Sequence, residues 1–174
     1  MKEKKNSLLR LCIAAMFAAL ICVATIVIQI PSPIGGFLNF GDCFILIAAW
    51  TLGPLYGCAA GAIGSAMADI ITAYAVYAPA TFVIKGLIGL TAAVVAHKLS
   101  AKGGRKLAAH ILSAAVAEVI MVTGYFLYDA LVMGYGFAGA AAGLPMNAVQ
   151  GAAGVVFGCV IMQVIQRTKI TEKL

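Results

Sequence analysis

The chain has 174 residues, 63% of them hydrophobic and 10% charged, with a mean hydropathy of +1.04. No soluble domain of this length could bury so much apolar surface in one core, so the composition excludes a soluble protein and predicts an all-α integral membrane protein. The net charge of +6 does not point to nucleic acid, because eleven of the twelve Lys and Arg fall into three clusters: Lys2, Lys4, Lys5 and Arg10; Lys98, Lys102, Arg105 and Lys106; Arg167, Lys169 and Lys173. Such clusters mark cytoplasmic ends under the positive-inside rule, which places both termini and the "KLSAKGGRK" loop inside a bacterial cell membrane.

Taken in chain order, Leu11 to Ile30 is a run of twenty uncharged residues, and the first helix is predicted over about Leu8–Gln29. The basic "MKEKKNSLLR" before it resembles a signal peptide, but the remainder is too apolar to be secreted, so the segment is read as a retained helix. Ala14, Ala15, Ala18 and Ala19 give it two overlapping pairs of small residues four apart, a smooth face for internal packing or for another membrane subunit. The loop "IPSPIGGFLNFG" follows, and then a second helix over about 42–52. From Asp42 to Gly53 there are twelve residues, about 18 Å of helix against a hydrocarbon core of about 30 Å. This helix is too short to span and begins with a carboxylate.

Four further helices are predicted over about 55–74, 79–99, 107–129 and 144–167, making a single domain of six helices over residues 1–174. Gly57, Gly61, Gly64 and Ala68 lie on one side of the third helix, and Asn147, Gly151, Gly154 and Gly158 on one side of the last. Both stripes predict close helix packing. The five cysteines, Cys12, Cys22, Cys43, Cys58 and Cys159, have no paired spacing and read as packing residues. His97 and His110 flank the basic loop without carboxylate or cysteine neighbours at ligand spacing, so neither metal nor cofactor is expected.

A charge at mid-membrane is expensive and needs a partner or a function. Lys85 lies about 9 Å below the outer end of its helix and Glu118 about 17 Å above the inner end of its own, near the midplane. Asp69 and Lys85, at similar depth on consecutive helices, are candidates for a structural ion pair, and Lys85 is equally a candidate ligand contact. Glu118 has no basic partner in the pattern and is the foremost candidate for binding. Asn39, Asp42, Tyr125, Tyr128, Asn147 and Gln150 complete the candidate set, all in the outer half; Glu118, Tyr125 and Asp129 form one stripe. Tyr74, Tyr77 and Tyr135 read as an interfacial belt and Trp50 as an inner interface anchor. The pattern predicts a cup open to the outside, polar above and apolar below, with the first loop as its cover.

The run "GGFLNFGDCFILIAAWTLGPLYGCAAGAIGSAMADIITAYAVYAPATFVIKGLIG", Gly35 to Gly89, resembles the substrate-binding S components of energy-coupling factor (ECF) vitamin transporters. The shared pattern is a GD heading the second helix, a GP turn, a small-residue third helix ending in A-D, and a K-G in the fourth. Six helices, the chain length and the alanine pairs extend the likeness over nearly the whole chain.

The resemblance implies a subunit that captures a vitamin from outside with high affinity. It would dock through Ala14, Ala15, Ala18 and Ala19 onto a transmembrane T subunit driven by two ATPases, and topple in the bilayer to release the vitamin inside. No G-x-x-x-x-G-K-[ST] loop is present, so ATP hydrolysis falls to the partners, and no enzyme motif is visible. Four outer carboxylates against one lysine disfavour a dianionic vitamin and favour a neutral or weakly basic ring: riboflavin, the nearest likeness, or hydroxymethylpyrimidine or pyridoxine. A stand-alone permease and a structural membrane subunit without a ligand are the alternatives.

Overall fold

The computed structural model describes residues 2–32, 36–101 and 106–168, with side chains from Ser7 onward. Lys102, Arg105, Lys169 and Lys173, and Pro33 to Gly35 of the first loop, lie outside the described residues. The elements are α1 (Lys2–Val27), β1 (Gln29–Pro31), β2 (Phe37–Asn39), α2 (Gly41–Leu52), α3 (Pro54–Ile71), α4 (Ala78–Ala101), α5 (Lys106–Leu131), a short α6 (Gly136–Ala140) running into a 3-10 turn, and α7 (Leu144–Arg167). α1, α3, α4, α5 and the stretch from α6 through α7 are long and apolar enough to cross a membrane, and α2 is not.

α2 is the axis of the bundle. It touches α1, α3, α4 and α7, and Ile45, Leu46, Ile47, Ala48 and Ala49 are all buried. A helix buried on every side needs no length to meet water, which is why twelve residues suffice. Around it the core is built from Ile21, Ile84, Ile88, Ala92, Ala114, Ala117 and Met121. The opposite faces of the long helices, among them Met16, Val23, Ile63, Phe82, Val119 and Val160, are exposed and apolar, as a lipid-facing surface must be.

The small-residue stripes set the close approaches. A Cβ on Gly89 would lie 2.4 Å from the Gly57 carbonyl oxygen, so α3 and α4 meet backbone to backbone. Gly64 is crowded in the same way by the carbonyl of Ala18 on α1. The α7 stripe closes on two partners, Gly151 and Gly154 against Glu118 and Gly158 against Leu46.

Several boundaries differ from the sequence reading, the largest shift being the start of α1, which lies at Lys2 where about Leu8 was expected. The first helix stops at Val27, and Gln29 instead pairs with Asn39 in a three-residue antiparallel hairpin, Ile30 opposite Leu38 and Pro31 opposite Phe37. α3 ends at Ile71, short of Tyr74, because Ala73 turns into the left-handed region at φ 65° and reverses the chain. α6 and its 3-10 turn occupy a stretch read as loop.

The expected ion pair between Asp69 and Lys85 is not formed. Lys85 is paired with Asp42, Nζ to Oδ1 at 2.5 Å, with the two side chains 2% and 1% exposed. The reason lies in α2, which carries its first-turn carboxylate into the core beside α4, while Asp69 sits one level higher at the end of α3. Gln150 of α7 donates to the other oxygen of Asp42 at 2.6 Å and accepts from the backbone N–H of Asn39 at 2.8 Å. One charge pair thus joins α2, α4, α7 and the hairpin.

Breaking a buried pair from one side typically costs about 3–5 kcal/mol, whereas removing both charges is often neutral. Lys85→Met and Asp42→Asn are each expected to lower the thermal midpoint of the detergent-solubilised protein strongly. The double variant Asp42→Leu with Lys85→Met should recover most of the loss. A double variant melting below both single variants would show that the pair does not carry this junction.

Candidate functional site

A cavity of about 40 Å³ lies under the hairpin, at the end of the bundle opposite Arg10, Lys98, Lys106 and Arg167. Its cover is Phe37, Leu38 and Asn39 of β2 with Ser32 and Gly36; its walls include Asp69, Tyr74, Tyr77, Thr81, Tyr125, Asp129, Met146, Asn147 and Gln150. It sits where α2 begins too deep to fill this side of the bundle, so the short helix makes the room and the hairpin covers it.

The walls are held by hydrogen bonds between helices. Tyr77 donates its hydroxyl to Asp129 Oδ1 at 2.9 Å, and the hydroxyls of Thr81 and Tyr125 share a bond at 2.9 Å. Phe37 meets the ring of Tyr74 edge-on at 4.8 Å, which seats the hairpin on the turn made by Ala73. Tyr125 faces two ways, its hydroxyl lining the cavity and its ring lying 5.5 Å from Lys85 Nζ, a cation–π distance. Asp69 is 5% exposed, and its Oδ2 has no hydrogen-bond partner. A buried acceptor left open at a cavity wall is a place for a ligand's donor.

The structure brings Asn39, Tyr125, Asn147 and Gln150 of the sequence-read candidates together on this cavity. Asp42 and Lys85 lie one helical turn deeper and reach it only through Gln150 and Tyr125. Glu118 is also below it: 5% exposed, with both carboxyl oxygens unpartnered, it packs on Gly151 and Gly154 and borders a lipid-facing groove between α5 and α7. The stripe of Glu118, Tyr125 and Asp129 is real, but only its upper two members reach the cavity. Tyr128 is outside the lining; its hydroxyl donates to the Val76 carbonyl and braces the loop beneath Tyr77.

Sequence reasoning missed Tyr77, Thr81 and Met146 and assigned Asp69 elsewhere. Tyr77 is buried and bonded, where an interfacial belt was expected. The available signal was its spacing, since Tyr77, Thr81 and Lys85 recur every four residues and share a face. Of the alanines, Ala14 is buried and Ala18 half-buried against α3, while Ala15 and Ala19 are exposed. The four therefore do not form one outward face, and of them only Ala15 and Ala19 are open to the surroundings. Among the described residues no three His, Cys, Asp or Glu side chains are gathered, and the cavity's chemistry is that of hydrogen bonds and ring contacts.

Comparison with known proteins agrees with this geometry. The profile of the family described as the S component of ECF-type riboflavin transporters matches residues 5–167. An uncharacterized protein of Pyrococcus woesei, described only by its position in a gap 3′ region, is 38% identical over 139 residues, covering 79% of this chain and 88% of that one. A solved S component of a bacterial ECF transporter superposes with a TM-score of 0.70 at 19% identity, over 95% of this chain and 99% of that one, and so shares the fold. The chain therefore belongs to the S-component family of ECF-type riboflavin transporters, multi-pass membrane subunits that bind a vitamin.

Proposed function

We propose that this chain captures riboflavin from outside the cell in the cavity beneath the hairpin. It then delivers the vitamin inward after docking on a transmembrane T subunit with two ATPases. The observation that carries the reading is the make-up of the cavity: ring side chains and neutral donors, an open carboxylate at Asp69, and no cation on its walls. Lys85 is taken by Asp42. A neutral tricyclic ring with several polar edges and a polyol tail matches these walls, and a dianion does not. Because a flavin exceeds the present space, the hairpin and the side chains of Tyr74 and Tyr77 must move outward on binding.

Titration calorimetry with riboflavin, hydroxymethylpyrimidine and pyridoxine tests the ligand. Riboflavin is expected to bind tightest; tighter binding of either smaller ring would reassign the vitamin, and no binding of any would favour the structural-subunit alternative. Asp69→Asn should weaken riboflavin binding by about 1.5–3 kcal/mol, the range for a hydrogen bond to a charged group, or roughly one to two decades in Kd. Asn147→Ala should cost about 1 kcal/mol. Unchanged affinity in both variants would move the ligand off this cavity.

The basic clusters support an orientation with the hairpin end outside. In a cysteine-free background, a cysteine at Val132 should react with an impermeant maleimide on whole cells and one at Ser100 should not. The reverse pattern would invert the topology.

Ala15 and Ala19 are the proposed docking face on α1. Replacing both by Leu is expected to abolish riboflavin uptake in cells while leaving the isolated protein's affinity within about threefold, a change under 0.7 kcal/mol. Ala14→Leu, which overfills the α1–α3 seam, should instead lower the melting temperature. Uptake that survives the Ala15 and Ala19 changes, or that proceeds without any partner subunit, would favour a stand-alone permease.

A further inference from the structure

A second cavity, of about 470 Å³, opens at the basic end between α2, α4 and α5, far from the vitamin cavity. Trp50, Gly53, Pro54, His97, Lys98 and His110 are among its walls. Trp50 is fixed there by two contacts, its indole N–H donating to Ser113 Oγ at 3.0 Å and its ring stacking on His110 at 4.5 Å and 27°. Ser113 in turn donates to the His110 carbonyl at 3.0 Å, closing the plate.

Two features of this cavity favour an anion. His110 is only 7% exposed, yet its ring nitrogens make no hydrogen bond with any described residue, so the imidazole edge is left to whatever occupies the space. Lys98 stands on the facing wall, and no Asp or Glu is among the lining residues.

We propose that this cavity is a binding site for a phosphate-bearing anion. Lys98 supplies the charge, His110 a hydrogen-bond donor at the open edge of a mostly covered ring, and Trp50 an apolar floor. Two sources carry that chemistry, the headgroup of an anionic phospholipid and free phosphate. The position favours the lipid, because α4 ends and α5 begins here at the level of the headgroups, and basic pockets between helices on this side of a membrane hold such headgroups. The volume lies within the range of small-molecule sites.

Trp50 is the single tryptophan of the chain, so its emission reports on this cavity without labelling. The vitamin-free protein in neutral detergent is titrated with short-chain phosphatidylglycerol, short-chain phosphatidylcholine and inorganic phosphate. Phosphatidylglycerol is expected to change the emission saturably, with a midpoint at least about tenfold below that of phosphatidylcholine, and Lys98→Gln and His110→Gln should each raise that midpoint about tenfold. Arg10→Gln, a charge loss at the same end but off the cavity, should leave it unchanged, which separates the site from general attraction to charged micelles. Saturation by inorganic phosphate alone, lost in Lys98→Gln, would name free phosphate as the source.

Equal midpoints for the two lipids with no response to phosphate would overturn the proposal, and so would a response that survives in Lys98→Gln. Lys98 is exposed and outside the stacked plate, so this variant remains decisive if His110→Gln fails to fold. Riboflavin affinity of Lys98→Gln should equal that of the parent protein, so the vitamin cavity and this site stand or fall separately.

Discussion

A lysine in the middle of an apolar helical bundle has to be neutralised where it stands, and most of this structure can be read as the answer to that demand. Lys85 is tied to Asp42, and Asp42 is the first-turn carboxylate of a helix too short to span. The pair therefore sets the depth at which α2 begins. Everything above that depth is space that the long helices must line and something else must cover. Gln150 takes the second oxygen of Asp42 and holds the hairpin through the Asn39 N–H, so the cover hangs from the same charge that fixes the floor.

This wiring gives the proposed binding cavity a particular character. Its floor is rigid, because moving it would expose a buried charge pair at a cost of several kcal/mol. Its cover is held by one hydrogen bond to Gln150, the edge contact of Phe37 with Tyr74, and a three-residue strand pairing. The adaptable part is therefore the hairpin. Tyr125 belongs to both levels, with its hydroxyl at the cavity wall and its ring against Lys85, so a ligand that displaces Thr81 from that hydroxyl also touches the environment of the ion pair.

How much of this was legible in the sequence depends on the kind of signal. The order of the long helices, the short second helix and the small-residue seams follow from hydropathy and period, which are local, and the structure has them as read, while the ends of α1 and α3 shift by several residues. Asn39, Tyr125, Asn147 and Gln150 were legible as a polar outer half because depth can be counted along a helix. Which carboxylate meets Lys85 was not, since depth alone cannot distinguish Asp69 on a neighbouring helix from Asp42 on a central one. That choice is tertiary, made by the burial of α2 among four helices. Tyr74 and Tyr77 were misread for a related reason: the tight reversal at Ala73 turns them inward, and no glycine or proline at that position announced it. The outward split of the alanines needed the α1–α3 packing at Gly64, which a period of four does not reveal.

The lower half of the bundle bears on how transport would proceed. The backbones of α3 and α4 meet at Gly57 and Gly89 with no room for a single added methyl group, and Ile45, Leu46, Ile88, Ala114 and Met121 fill the centre beside them. A hydrated path through that region would have to pull apart seams whose stability comes from their closeness. A ligand held above α2 therefore has no route straight down through a standing bundle. Under the proposed function, delivery to the inside would go by reorientation of the whole body, as the resemblance to ECF S components implies, with the hairpin end coming to face the other way. The proposed partner would then take hold of the apolar surface of α1, where Ala15 and Ala19 are exposed, and drive that reorientation from outside the bundle.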